Sequence, residues 1–283
     1  IGSDTLDLNG LRTLQKEHPD RVVDVGIAEQ NAMGIASGLA TTGMHPYLCG
    51  YAPFITARSM EQLRNDVAYA NQRVVIGGAC SGISLAVSGG THHAVEDIAL
   101  MRSLPNMTVV VVADAHQGWH ATLATQDYDG PVYLRLGGRA VETPVTPIDA
   151  NFEIGKADVM RAGKDVTVIA CGCLVPEAMS AAETLEADGV DVRVINMHTI
   201  KPLDRDAVLA AAAETGGIVT AEEHHLTGGL GGAVAELLAE EHPTRMRFVG
   251  MPDEYAIVGP TGQVRDRYGM SARHIVDACR SLR

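Results

Sequence analysis

The chain has 283 residues, 46% of them hydrophobic and 20% charged, with 30 glycines and a formal net charge of −13. This length suits two domains with a core each, and the composition is that of a folded α/β protein rather than a disordered one. The negative charge argues against nucleic acid or an anionic membrane as a partner, because both need a basic surface. A small metabolite or another protein fits better.

Apolar, β-branched runs alternate with helical patterns along the whole chain. The runs lie at residues 22–27, 74–77, 108–113, 132–136, 166–171, 192–196, 218–221 and 246–249. Strands that are buried on both faces have this composition, and helices between them imply parallel sheets. The sequence therefore predicts two α/β domains. No run approaches the length of about 18 apolar residues that a membrane span needs.

The segment 142–149 contains two prolines and no periodicity, which is typical of a linker. We place the first domain at residues 1–143, the linker at 144–153 and the second domain at 154–283. Residues 1–4 have the pattern of a strand end that opens into a loop. We therefore expect the first domain to lack its first helix and strand.

A helix is predicted at residues 30–40, where apolar residues recur at helical spacing. Gly34 and Gly38 fall four residues apart on one of its faces. Glycine costs a helix about 1 kcal/mol relative to alanine, so two on one stripe indicate that something packs very close. That neighbour is either the sheet of the same domain or another subunit.

Five cysteines, an odd number, are scattered along the chain, and four of them lie in apolar surroundings. Cysteine behaves there as a small hydrophobe, so we expect a reducing, cytoplasmic environment. Cys171 and Cys173 follow a strand-like run at a spacing unlike that of the common metal and redox motifs. We expect them to be structural.

Three short segments carry residues suited to chemistry. Glu29 opens the predicted helix, where it either complements the positive helix N-terminus or serves as an acid or base beside a buried strand end. Tyr51 and Phe54 either fill the core or grip the face of a flat ring. Residues 88–93 form a glycine-rich turn in which one of two adjacent histidines can face a cleft.

Together these segments resemble the transketolase and deoxyxylulose-phosphate synthase family. The matching stretches are residues 25–31 (VGIAEQN), 51–54 (YAPF), 90–93 (GTHH), 97–102 (DIALMR), 104–107 (LPNM), 129–135 (DGPVYLR) and 222–232 (EEHHLTGGLGG). They keep their order over nearly the whole chain. The resemblance implies two three-layer α/β/α domains with mostly parallel sheets, a pyrimidine-binding domain followed by a transketolase C-terminal domain.

The resemblance also implies roles for four residues around thiamine diphosphate. Glu29 would hydrogen-bond N1′ of the aminopyrimidine and thereby make the ring's own 4′-nitrogen a base. Phe54 would stack on the aminopyrimidine, with Tyr51 beside it. His92 would face the substrate and hydrogen-bond its hydroxyl or the developing alkoxide.

The chain departs from the transketolase pattern in its substrate pocket. Ser88 stands where transketolases carry an aspartate that binds a sugar hydroxyl. Ala57, with Arg58 next to it, stands where they carry a third pocket aromatic. Arg135 and Arg139 are the candidates for the arginine that binds the sugar phosphate. A phosphorylated sugar is a plausible substrate.

No segment resembles the Gly-Asp-Gly and the downstream Asn that hold Mg²⁺ and the diphosphate in this family, so no metal ligands are expected in this chain. The resemblance implies a partner, the N-terminal transketolase subunit with the diphosphate-binding domain, which would supply the Mg²⁺ ligands. Two copies of each chain would form a heterotetramer. Self-association of this chain is expected as well.

The predicted function is that of one subunit of a split transketolase, a transferase that moves a two-carbon ketol unit between sugars or sugar phosphates. An alternative is the beta chain of the first component of an oxoacid dehydrogenase, which shares both domains and also pairs with a separate chain. The segments 90–92 and 222–224 favour transketolase. A non-catalytic partner of a complete transketolase is a third reading, but it gives no reason to keep Glu29, the aromatics and His92 together.

Overall fold

The computed structural model describes residues 1–138 and 144–283. Its strands are β1 (Tyr47–Tyr51), β2 (Val75–Ala79), β3 (Thr108–Val111), β4 (Val132–Arg135), β5 (Asp158–Arg161), β6 (Val166–Ala170), β7 (Val192–Asn196), β8 (Thr199–Lys201), β9 (Ile218–His225) and β10 (Met246–Met251). These strands form two five-stranded sheets, of order β1-β2-β4-β3-β8 and β10-β9-β6-β7-β5. Neighbouring strands are parallel except at the pairs β3–β8 and β5–β7. The predicted α/β fold with mostly parallel sheets is confirmed.

Helices connect the strands and cover the sheets. They are α1 (Arg12–Glu17), α2 (Glu29–Thr41), α3 (Met60–Gln62), α4 (Asp97–Arg102), α5 (Ala115–Ala124), α6 (Leu174–Ala187), α7 (Arg205–Glu214), α8 (Leu230–Glu241), α9 (Thr261–Arg267) and α10 (Ala272–Arg280). Two π-helical turns, Phe54–Arg58 and Leu63–Tyr69, flank α3. Among the helices of the described ranges, none combines the length and apolarity that a membrane span requires.

The expected strand at residues 22–27 is wrong. Only a single bridge forms there, between Asp24 and Gly2, and Gly2 also bridges Cys49 of β1. Gly26 has φ +70°, which ends any extended run, and Ile27 is 76% exposed. Val22 is buried, but Val23 and Ile27 are exposed, so the segment is not enclosed on both faces as its apolar residues suggested.

Three strands were not predicted: β1, β5 and β8. Each lies at the edge of its sheet, where one side lacks a neighbouring strand and the sequence need not be uniformly apolar. The strand β8 also crosses between the halves of the chain, because Lys201 and Thr199 pair with Val109 and Val110 of β3. One strand of the second half thus completes the sheet of the first.

The predicted linker, residues 144–153, contains no helix or strand. Asp114, the N-cap of α5, holds it: its carboxylate accepts hydrogen bonds from Val145 N at 2.7 Å and from Thr146 N at 2.8 Å. Burial alone would raise the pKa of Asp114, but the hydrogen bonds from Gln117 and Thr146 outweigh it and lower the pKa. The carboxylate therefore stays ionised and fixes the segment to the first half.

Candidate active site

Glu29 is the first residue of α2, and the loop before it is held in place from two sides. Ser3 Oγ donates to Gly26 O at 2.9 Å and accepts from Ala28 N at 3.3 Å. Asp24 Oδ1 accepts from Gly26 N at 3.1 Å. The side chain of Glu29 is 5% exposed. Local hydrogen bonds thus fix the start of the helix, and the carboxylate lies nearly buried.

Tyr51 ends β1, and Phe54 begins the π-helical turn that follows. A Cβ at Gly50 would lie 2.8 Å from the side chain of Ile55, so the close approach of this turn to the strand requires glycine there. Turns of the π type are rare and frequently mark functional sites. The rings of Tyr51 and Phe54 meet edge to face, with centroids 5.8 Å apart.

His92 ends a short 3₁₀ turn, Gly90–His92. Gly89, just before it, has φ +79° and ψ 178°, a conformation that residues with a side chain rarely adopt. His92 N donates to Gly89 O at 2.9 Å, and its ring Nδ1 lies 3.0 Å from Thr91 Oγ1. The glycine therefore sets the direction in which the histidine leaves the chain.

The structure brings Tyr51, Phe54 and His92 together in one group, called the ring cluster below. The His92 ring lies 5.7 Å from that of Tyr51 and 5.2 Å from that of Phe54, with interplanar angles of 86° and 72°. Edge-to-face packing of this kind fixes the orientation of each ring. Residues from two distant segments, both singled out in the sequence, thus meet at one place.

Arg58 joins Glu29 to the ring cluster. Its Nη1 donates to Glu29 Oε2 at 2.8 Å, and its guanidinium carbon lies 4.1 Å from the centroid of the Phe54 ring. No role for Arg58 was predicted from the sequence. The sequence feature that could have indicated a role is its position next to Ala57, which stands where transketolases carry a pocket aromatic. The candidate site therefore comprises Glu29, Arg58 and the ring cluster.

This geometry fits a flat, hydrogen-bonding ring such as the aminopyrimidine expected from the sequence. The planar guanidinium of Arg58 already reaches both Glu29 and the face of Phe54, so a planar nitrogen heterocycle can meet the same partners. Within residues 1–138 and 144–283, no three His, Cys, Asp or Glu side chains are grouped to hold a metal ion.

The structure does not connect two of the predicted substrate residues, Ser88 and Arg139, with the site. Ser88 is exposed at the end of the 3₁₀ turn Ala86–Ser88, in the segment that leads to His92, and the structure shows no side-chain contact between the two. Arg139 lies outside the described residues. Both stay predictions.

Arg135 has a different environment from the one expected of a phosphate ligand. Its side chain is 3% exposed, and it donates to Asp97 Oδ2 at 2.7 Å and to the carbonyl oxygens of Ala94 and Glu223, both at 3.0 Å. Asp97 also accepts from Tyr133 Oη at 2.6 Å. Arg135 thus joins the two halves of the chain in a buried network through Nε and Nη2. It also lines the larger of the two cavities described below.

The two adjacent histidines have opposite environments. His92 belongs to the ring cluster, whereas His93 is only 4% exposed and lies in the interior. Burial lowers the pKa of His93, so its ring is neutral at physiological pH. The sequence pattern left open which histidine faces a cleft, and the structure favours His92.

The segment 222–224, which favoured transketolase in the sequence, has structural partners. Glu222 accepts from Leu230 N at 2.7 Å and from Gly231 N at 2.8 Å, which satisfies two free donors at the start of α8. His224 Nε2 accepts from Ala99 N at 3.2 Å and so links β9 to α4. This segment therefore fixes the second half of the chain against the first.

Two cavities, of about 530 Å³ and 450 Å³, lie elsewhere in the described part of the chain. The larger one lies between β3, β4 and α5, and the smaller one lies beside Lys201. Neither is lined by Glu29, Arg58 or the ring cluster. The candidate site is instead an open face of the chain, on which the side chain of Arg58 is 45% exposed.

The glycine face of α2 is also uncovered. A Cβ at Gly34 or at Gly38 would meet no atom within 4 Å. Of the two neighbours expected from the sequence, the sheet of the same domain is therefore not the one that packs on this stripe. The face remains available to another chain.

Two family models match the chain. The model described as "Transketolase, pyrimidine binding domain" matches residues 1–143, and "Transketolase, C-terminal domain" matches residues 155–275. Together they cover most of the sequence, in the order that the motifs indicated.

Individual relatives agree with these matches. The chain is 39% identical over 285 residues to the 6-deoxy-6-sulfo-D-fructose transketolase subunit of Clostridium sp., covering 100% of this chain and 87% of the relative. It is 41% identical to an apulose-4-phosphate transketolase subunit of Phocaeicola vulgatus, covering 96% and 88%. A solved split-gene transketolase, described as an inactive beta4 tetramer, is 40% identical, covers 96% and 88%, and superposes with a TM-score of 0.89.

Proposed function

The chain belongs to the transketolase family, and from this premise we propose that it supplies the aminopyrimidine-binding half of a split transketolase. It is a subunit of a transferase that depends on a partner subunit. The complete enzyme moves a two-carbon ketol unit between sugars or sugar phosphates. The observation that carries this proposal is the meeting of Glu29, Phe54, Tyr51 and His92 on one open face.

The contacts of the site suggest one task for each residue. Glu29 forms a hydrogen bond with N1′ of the aminopyrimidine. Its carboxylate suits this task because it is nearly buried and already accepts a hydrogen bond from the planar guanidinium of Arg58. Phe54 offers its ring face for stacking, and Tyr51 supports that ring edge to face. Thiamine diphosphate itself supplies the carbon nucleophile of the reaction.

His92 is the residue that we assign to the substrate. Its ring packs against Tyr51 and Phe54, beside the proposed cofactor position rather than beneath it. From there it donates a hydrogen bond to a sugar hydroxyl or to the oxygen on which charge develops. Ser88 lies four residues before His92, and we retain it as a candidate for hydroxyl recognition. We assign Arg135 to the buried network rather than to the substrate, because its Nε and Nη2 donate within that network.

The partner in this proposal is an N-terminal transketolase subunit with the diphosphate-binding domain and the Mg²⁺ ligands. The site supports this division, since the aminopyrimidine contacts lie on an open face, where the side chain of Arg58 is 45% exposed. The uncovered Gly34 and Gly38 face of α2 is where we expect a second chain to pack. Two copies of each subunit would then form a heterotetramer, and we expect it in the cytoplasm.

The substrate class is an anionic sugar. The names of two relatives include a sulfonated sugar and a sugar phosphate, and both relatives cover nearly the whole chain. Neither donor nor acceptor is assigned beyond that class. Arg139, outside the described residues, remains the candidate for the anionic group.

Reconstitution tests the proposal. The chain is mixed with a diphosphate-binding partner, thiamine diphosphate and Mg²⁺, and two-carbon transfer from xylulose 5-phosphate to ribose 5-phosphate is followed. We expect transfer only when both subunits are present. Other anionic sugars can be better substrates than this pair. Formation of acyl-lipoyl product in place of transferred ketol would instead assign the chain to an oxoacid dehydrogenase.

A further inference from the structure

Arg58 makes the same two kinds of contact that the proposed function assigns to the cofactor's aminopyrimidine. Its guanidinium hydrogen-bonds Glu29 at 2.8 Å and lies over the face of Phe54, 4.1 Å from the ring centroid. A guanidinium is planar, carries its N–H groups in the plane and stacks on aromatic faces. One flat group at a time can lie between Glu29 and Phe54 in this way.

We propose that Arg58 occupies the place of the aminopyrimidine in the cofactor-free chain and must leave Glu29 and Phe54 when the cofactor binds. This inference rests on the proposed function. It adds that Arg58 competes with the aminopyrimidine for Glu29 and Phe54, which the arginine covers until the cofactor displaces it.

The burial of Glu29 explains why such a residue is needed. The carboxylate is 5% exposed, and an ionised carboxylate in that position is costly unless a positive partner faces it. Arg58 is that partner in the free chain. The same cation also covers the ring face of Phe54, which would otherwise be exposed to water at the open side of the site.

The exposure of Arg58 explains why it can leave. Its side chain is 45% exposed, and its hydrogen bonds and ion pairs within the described residues are confined to the one with Glu29. Half-exposed ion pairs and exposed cation–π contacts are individually weak. Displacing Arg58 should therefore weaken cofactor binding by about three- to thirtyfold relative to a site without it.

The test uses the assembled complex of this chain with its partner and compares the parent with Arg58→Met, which keeps the length of the side chain and removes its charge and planarity. Arg64→Met is the matched control, because Arg64 is exposed on the neighbouring π-helical turn and bonds Asn65. Titration calorimetry measures binding of thiamine diphosphate with Mg²⁺. A second ligand, hydroxyethylthiazole diphosphate, has the diphosphate and thiazole but no aminopyrimidine.

The expected result is that Arg58→Met binds thiamine diphosphate about three- to thirtyfold more tightly than the parent and binds the thiazole diphosphate equally well. Arg64→Met should match the parent with both ligands. Arg58→Lys keeps the charge without the planar face, so it should fall between the parent and Arg58→Met. It also provides a second variant if the methionine protein does not assemble.

Equal or weaker binding of thiamine diphosphate to both Arg58 variants would overturn the inference. So would an equal gain for the thiazole diphosphate, because the effect would then not arise at the aminopyrimidine. Failure of the parent complex to bind thiamine diphosphate at all would refute the proposed function itself, and with it the inference that rests on it.

Discussion

Two arginine–carboxylate pairs in this chain have nearly equal lengths and opposite surroundings. Glu29 and Arg58 lie 2.8 Å apart, and Arg58 is 45% exposed. Asp97 and Arg135 lie 2.7 Å apart, and their side chains are 1% and 3% exposed. The first pair stands at an open face with one hydrogen bond, whereas the second is enclosed by further partners. Exposure and the number of partners, rather than distance, separate the replaceable pair from the structural one.

Arg135, the cation of the enclosed pair, stays charged because a carboxylate faces it. Burial alone would lower the pKa of Arg135, but the adjacent Asp97 outweighs burial and raises the pKa. Nη2 of Arg135 donates to both Ala94 O and Glu223 O, so the pair also joins the two halves of the chain. No comparable set of donors surrounds Glu29 within the described residues, which leaves its carboxylate ready for a different partner.

The largest effect should come from a substitution in the exposed Glu29–Arg58 pair, and it should lower the catalytic rate. Glu29→Gln removes the proton contact at N1′, and the loss of such a contact commonly costs about 10²–10⁴ in rate. Hydrogen–deuterium exchange at C2 of the cofactor in the reconstituted enzyme is the direct measurement. Glu17→Gln, at the exposed end of α1, is the control and should exchange like the parent. An unchanged exchange rate in Glu29→Gln would remove Glu29 from the site.

The enclosed pair should dominate stability. Arg135→Met leaves Asp97 buried without its counter-charge, so we expect the free energy of unfolding to fall by about 3–5 kcal/mol. Arg58→Met also takes the counter-charge from a nearly buried carboxylate, but once the half-exposed Arg58 side chain is gone, water can reach Glu29 from the open face, so we expect a smaller loss of about 1 kcal/mol. Urea unfolding of the two variants and the parent, at one protein concentration, gives both values. Similar losses in both variants would show that the distinction between the pairs is wrong.

A smaller effect should follow from the substrate side of the open face. Ser88→Asp restores the carboxylate that transketolases carry before this histidine, and a hydrogen bond to a charged group is worth about 1.5–3 kcal/mol. We expect kcat/KM for xylulose 5-phosphate with ribose 5-phosphate to rise accordingly. Ser103→Asp, exposed just beyond α4, controls for added charge. An efficient parent that gains nothing from Ser88→Asp would contradict the assignment of Ser88 to sugar recognition.

The fold was predictable wherever strands are buried on both faces. Strands such as β2, β3 and β6 have every residue buried, and their apolar runs indicate this directly. The edge strands β1, β5 and β8 were missed because partial exposure permits mixed sequences. The strand predicted at residues 22–27 is wrong for the converse reason, since an apolar run there includes the exposed side chains of Val23 and Ile27.

The sequence indicated candidate residues for the site but not the contacts between them. The family resemblance singled out Glu29, Tyr51, Phe54 and His92, and the fold brings the three rings together, with Arg58 joining them to Glu29. The ion pair of Arg58 spans 29 positions and depends on a π-helical turn, which no periodicity indicated. The resemblance also suggested Arg135 for the sugar phosphate, and the sequence did not indicate its buried hydrogen bonds to Asp97, Ala94 O and Glu223 O.

The most direct test of the split site is titration of thiamine diphosphate with Mg²⁺ into this chain alone and into its complex with the diphosphate-binding partner. We predict micromolar or tighter binding to the complex and no measurable binding to the chain alone at the same concentrations. Self-association of the chain alone would not alter that expectation, because further copies add no diphosphate-binding domain. Micromolar binding to the isolated chain would contradict the division of the site, since this chain would then hold a diphosphate site of its own.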